Sequence, residues 1–107
     1  MKILDLLLED NQKKLKDVAE VTTNNPDAHF WVIRRGTKES VGKPTKEFNP
    51  EHFGISVYRP DIIYPELLYY TLMYVHSQGF WESVATGSLR LVHIRKSDLE
   101  NLSFTPR

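Results

Sequence analysis

Only one stretch of this chain carries the pattern of a long helix, and that restricts the folds open to it. Between positions 64 and 78, Tyr64, Leu67, Leu68, Thr71, Leu72 and Val75 recur at spacings of three and four, the period of one helix face. Pro65 suits the first helical position and Gly79 is placed to end the helix. Tyr69, Tyr70, Met73 and Tyr74 cover much of the remaining circumference, so the helix is predicted to pack on more than one side. The other apolar runs of the core are short. Val18–Thr23, Phe30–Arg35 and Gly54–Tyr58 are rich in β-branched and aromatic residues and are bounded by Gly, Pro and Asn, as strands are. One long helix among short strands, without regular β-α-β alternation, implies an α+β fold: a small, largely antiparallel twisted sheet packed against one main helix.

With 107 residues the expectation is a single domain, residues 1–107, with room for one core. Within it, residues 14–106 form the core fold and residues 1–13 a helical extension. In that extension Ile3, Leu4, Leu7 and Leu8 fall at helical spacing, predicting a short amphipathic N-terminal helix. Asp5, Glu9 and Asp10, with no small-residue cleavage site after them, argue against a signal peptide. The absence of cysteine excludes a disulfide framework and a thiolate metal site, and it fits a cytoplasmic protein. No apolar run approaches the length of a membrane span.

Charge sets a further limit. Fourteen basic and fourteen acidic residues give a net charge of zero. Proteins that hold nucleic acid mainly through phosphates usually carry a basic excess, and mimics of DNA carry a strong acidic one. The balance excludes both extremes.

The segment from Gly36 to Pro50 is polar and punctuated by Gly42 and Pro44. It reads as a mobile loop or the tip of a long hairpin, with one helical turn starting at Asn49-Pro50-Glu51. The closing segment is more regular. A small-residue loop, Ala85-Thr86-Gly87-Ser88, runs into the apolar Leu89–Ile94. Ser97-Asp98-Leu99-Glu100 then has the Ser-x-x-Glu form of a capping box, and Ser103-Phe104-Thr105-Pro106 is a last short strand. Leu99 and Leu102 are expected to pin the turn inward.

Three places in this order match a known pattern. Lys14-Leu15-Lys16-Asp17-Val18-Ala19-Glu20-Val21-Thr22-Thr23 is a Leu-x-x-Val turn feeding a strand. Val57-Tyr58-Arg59-Pro60-Asp61, followed by Tyr64-Pro65-Glu66-Leu67-Leu68-Tyr69-Tyr70, is a strand leading to a Leu/Tyr-rich helix opened by Pro-Glu. The third is the closing segment just described. Together they resemble the target recognition domain of type I restriction–modification specificity subunits, over residues 14–106. The central portion is shorter than such a domain usually has, the long helix that pairs two such domains is missing, and the usual Leu-Pro-Pro-like ending is reduced to Phe104-Thr105-Pro106. The resemblance is to a stripped, single-copy version. It implies a DNA-recognition module and no catalysis.

The candidate DNA-contacting residues fall in two groups. Arg34, Arg35, Lys38, Lys43 and Lys46 lie on or beside the polar loop, where they could reach phosphates or a guanine edge. Thr86, Ser88 and Arg90 flank Gly87, where backbone amides and hydroxyls could hold a phosphate. Each group can equally be a solvated surface. Tyr69, Tyr70, Met73 and Tyr74 are candidates for a protein interface, with core packing as their ordinary use. His29, His52, His76 and His93 show no metal-ligand spacing, and no nucleophile elbow or paired catalytic carboxylates stand out. The expectation is therefore a non-enzyme without cofactor or metal. Its partner would be DNA, bound weakly by the chain alone, or a larger DNA-processing assembly, with a homo-oligomer also open. The alternative is a structural or interaction protein of a virus or mobile element that keeps the fold without touching DNA.

Overall fold

The computed structural model describes residues 12–87 and 90–105. The predicted N-terminal helix at 3–10 lies outside the described residues. The main helix, α1 (Pro65–Ser77), starts at Pro65 behind an extended Tyr64 and is followed by Gly79 with φ +75°. Its inward side is Leu68 and Leu72, both buried. Tyr69 sets its ring edge against Phe30 with centroids 5.4 Å apart.

A four-stranded sheet lies against this helix. It comprises β2 (Ala19–Thr23), β3 (Phe30–Val32), β5 (Pro44–Thr45) and β6 (Phe53–Val57), in the order β2-β6-β3-β5. Every pairing in it is antiparallel, with Val21 opposite Ile55, Phe30 opposite Ile55 and Val32 opposite Pro44. Alternation is visible in β2, where Ala19 and Val21 are buried and Glu20 is exposed. β3 is buried throughout; Trp31 is covered by Phe48, with ring centroids 5.8 Å apart, and its indole N–H donates to the Asn25 carbonyl at 2.8 Å.

Two smaller antiparallel sheets complete the architecture. One joins β4 (Arg35–Gly36), β7 (Thr86–Gly87) and β8 (Val92–His93) in the order β4-β8-β7. The other pairs β1 (Lys13–Lys14) with β9 (Ser103–Phe104). The fold is thus α+β and antiparallel as expected, but among the described residues the strands are divided among three sheets. The strand expected over Phe30–Arg35 is divided as well. After Val32 the chain leaves the large sheet, and Arg35–Gly36 pair with β8 instead.

The segment after Gly36 is the hairpin tip, not a mobile loop. The Gly42 amide donates to the Ile33 carbonyl at 2.8 Å and the Ile33 amide to the Lys43 carbonyl at 3.0 Å. Val41 is fully buried. Trp81, from the short helix α2 (Phe80–Val84), lies so close to Gly42 (φ +85°) that a Cβ there would stand 2.0 Å from its Cδ1. At Asn49 there is one turn and no helix, closed by the His52 amide on the Asn49 carbonyl at 3.0 Å.

Two further expectations are corrected. The closing helical turn exists as α3 (Lys96–Glu100), but its N-cap is Arg95. The Asp98 carboxylate accepts the Arg95 amide at 2.8 Å, so the reciprocal half of the box comes from Asp98 and the Ser97/Glu100 pairing does not form. Starting the helix two residues later, with Ser97 as its cap, would leave the Arg95 amide without this acceptor. Leu99 and Leu102 are buried as expected. Leu67, placed on the core stripe by spacing, is 38% exposed. The sheet meets only the narrow Leu68–Leu72 side of α1, and Leu67 falls one step round the helix from it.

Candidate nucleic-acid interface

The small β4-β8-β7 sheet joins two regions fifty residues apart in sequence. Arg35 stands opposite His93 on one side, and Thr86 stands opposite His93 on the other. Directly opposed residues share a face of a sheet, so Arg35, His93 and Thr86 form one row. The neighbouring row, Gly36, Val92 and Gly87, points the opposite way, and Val92 is buried. The Arg35 row is therefore the solvent face: Arg35 and Thr86 are exposed and His93 is half-buried. Thr86 Oγ1 lies 3.4 Å from His93 Nε2. Arg90 is exposed shortly before β8 begins, and Arg95 and Lys96 are exposed just after it.

The other candidates are placed differently. Arg34 is half-buried, with its guanidinium carbon 5.4 Å from the centre of the Phe53 ring. Its carbonyl accepts the Ile94 amide at 3.0 Å, tying the small sheet to the strand before it. Lys46 reaches across to the first turn of α1, where its Nζ donates to both Glu66 carboxylate oxygens at 2.8 and 2.9 Å and stands 4.5 Å from the centre of the Tyr69 ring. Lys38 and Lys43 are exposed on the hairpin tip. Lys38 borders a cleft of about 340 Å³ shared with His76, Gln78 and Glu82. Ser88 lies outside the described residues.

His93, Arg95 and Lys96 were not among the sequence candidates. The alternation of Val92 and Ile94, both buried, could have indicated that His93 and Arg95 face outward. Nothing in the sequence could have put Arg35 beside His93, because that register is made by two strands of two residues each.

Of the aromatic candidates, Tyr69 is half-buried against Phe30, and Met73 is half-buried too. Tyr70 and Tyr74 are 60% and 65% exposed. They line an open apolar groove of about 590 Å³ with Leu67, Thr71, Val75 and Phe104.

Among the described residues, no group of three His, Asp or Glu side chains is placed to hold a metal ion. Nor is any described helix long and apolar enough to cross a membrane. The titration of His52 and of the Arg59–Asp61 pair is moved by their surroundings. Burial lowers the pKa of His52, whose Nδ1 is enclosed without a hydrogen-bond partner, against a smaller opposing effect of Glu51. Asp61 is held below the usual carboxylate range by the hydrogen bonds it accepts from Arg59, at 2.8 and 3.0 Å.

No protein-family model matches the chain, and no curated protein does. Among solved structures, the chain is similar to the S subunit of a type I restriction–modification system from M. genitalium. The TM-score is 0.66 at 17% sequence identity. The match covers 88% of this chain and 34% of the S subunit's chain. At that identity the likeness shows a shared fold.

Proposed function

We propose that this chain is a non-catalytic DNA-recognition module, comparable to one target recognition domain of a type I specificity subunit. The observation that carries the reading is the outward row Arg35–His93–Thr86 with Arg90, Arg95 and Lys96 around it. Here a guanidinium, an imidazole and a hydroxyl stand in one row of a small sheet, and Arg95 and Lys96 follow at the start of α3, where the Arg95 guanidinium lies 3.7 Å from the Asp98 carboxylate. Arginine pairs bidentately with phosphate or with a guanine edge, and the hydroxyl can add a phosphate contact. Lys38 and Lys43 on the hairpin tip supply further phosphate contacts. Lys46 and Arg34 act through the fold, by holding α1 and the Phe53 ring. The fold shared with the S subunit supports the same reading, with this chain acting inside a larger assembly.

The test is a fluorescence-anisotropy titration of mixed-sequence duplex DNA at low and moderate salt. Binding is expected at low salt, with loss on Arg35→Glu and with an unchanged circular-dichroism spectrum. Absence of binding at low salt, or affinity indifferent to Arg35→Glu and to salt, overturns the reading. A second reading, an assembly component that never touches DNA, is favoured by one observation: Tyr70 and Tyr74 stand out on α1.

A further inference from the structure

The outer side of α1 is a second apolar seam. Tyr64, at the cap, and then Leu67, Thr71 and Tyr74 follow one another at spacings of three, four and three, the repeat by which one helix receives another. Tyr64 is 70% exposed. Tyr70 flanks the seam, its ring edge-on to Tyr69 with centroids 5.3 Å apart. Among the described residues, no charged side chain lines the groove that Leu67, Thr71 and Tyr74 share with Phe104.

The spacings read the same in both directions. A two-fold contact requires this, because residue i of one copy meets residue j of the other only if j also meets i. When two α1 helices cross antiparallel about the point midway between Leu67 and Thr71, Tyr64 stands level with the second copy's Tyr74, and Leu67 with its Thr71. Aromatic then meets aromatic, in rings that favour edge-on or offset packing, and a branched apolar side chain meets a small one. The same crossing sets the positive start of one helix beside the negative end of the other.

The area fits a contact of this kind. Aromatic side chains bury roughly 150–250 Å² each, so Tyr64, Tyr70 and Tyr74, all at least 60% exposed, offer roughly 300–500 Å² per copy before Leu67 and Thr71 are added. A pair of copies thus reaches about 1,000 Å², the lower bound of specific interfaces. An uncharged seam also offers nothing by which a basic or acidic partner would be chosen. We propose that this seam is the interface of a weak antiparallel homodimer, α1 against α1 of a second copy. The proposal is independent of DNA binding.

The chain has no cysteine, so introduced cysteines report the crossing without background. Tyr64 and Tyr74 lie about 15 Å apart along the helix at 1.5 Å per residue, and in the antiparallel pair the two copies' Tyr64 positions are separated by a similar distance, too far for a disulfide. An equimolar mixture of the full-length Tyr64→Cys and Tyr74→Cys proteins keeps one tyrosine pair. Under mild oxidation it is expected to form disulfide-linked heterodimers at least tenfold faster than either variant links to itself. A variant that links to itself as fast as the mixture does would overturn the proposal. Sedimentation equilibrium of the cysteine-free protein is the second readout. A monomer–dimer equilibrium is expected with Kd on the order of 100 µM, weakened at least tenfold by Tyr74→Glu while the circular-dichroism spectrum stays unchanged. A chain still monomeric at about 1 mM, or a dimer indifferent to Tyr74→Glu, overturns the proposal and leaves the groove to a different occupant.

Discussion

At Gly42 the backbone takes a positive φ of +85° directly beneath the Trp81 indole, so both conformation and space are spent. Gly42→Ala adds a clash to a left-handed backbone, and destabilisation by about 2 kcal/mol or more is expected, read by urea unfolding. At the head of α3 the cap contact belongs to Asp98. Asp98→Ala should lose about 0.5–2 kcal/mol, whereas Ser97→Ala should stay within about 0.5 kcal/mol. Equal losses for both would put the cap back on Ser97. His52 makes a pH prediction. Because its folded pKa lies below its unfolded value, the neutral imidazole's contribution is complete above about pH 6.5, the ordinary histidine value, and is lost as pH falls through the folded pKa. Melting temperature should therefore decline below about pH 6.5, and His52→Phe should flatten that decline.

Helix α1 separates its two sides energetically. Leu68 and Leu72 are at most 1% exposed, so Leu68→Ala or Leu72→Ala should each cost about 2–5 kcal/mol. Leu67→Ala, from a half-open groove, should cost about 1 kcal/mol or less. The Lys46–Glu66 pair that ties the hairpin to this helix is about half exposed, with side chains at 48% and 64%. Solvent screens it, and Lys46→Ala should cost about 0–1 kcal/mol. A larger loss would assign the difference to the lysine's contact with the Tyr69 ring. Chemical denaturation of the four variants under one buffer measures these differences together.

For the molecule as a whole, zero net charge means that any DNA binding depends on a local arrangement and not on bulk attraction. If Arg35, Arg90 and one or two neighbouring cations neutralise phosphates, about three or four counterions are released. Affinity for duplex DNA should then fall roughly 40- to 150-fold between 50 and 200 mM salt. Arg90→Ala should lower that slope by about one contact without altering sequence preference, while Arg35→Glu should abolish binding. A slope of zero in the parent protein would remove phosphate contacts from the account.

What the sequence determined by itself was whatever depends on neighbours along the chain. The helix at 65–77, the strands at 19–23 and 53–57 and the burial of Leu99 and Leu102 all follow from periodicity acting over a few residues. Their order carried the resemblance, and the structure shares its fold with a type I S subunit. The tertiary structure decided what depends on distant partners. Leu67 and Leu68 are equally apolar, and only the position of the sheet made one core and left the other at a groove. Lys46 and Arg35 are both basic residues in or beside the same polar segment. One is engaged by Glu66, twenty residues on, and the other stands in a row with His93 and Thr86. Strands of two residues carry too little pattern to be read in advance, because the hydrogen bonds that define them are made to chain that arrives much later.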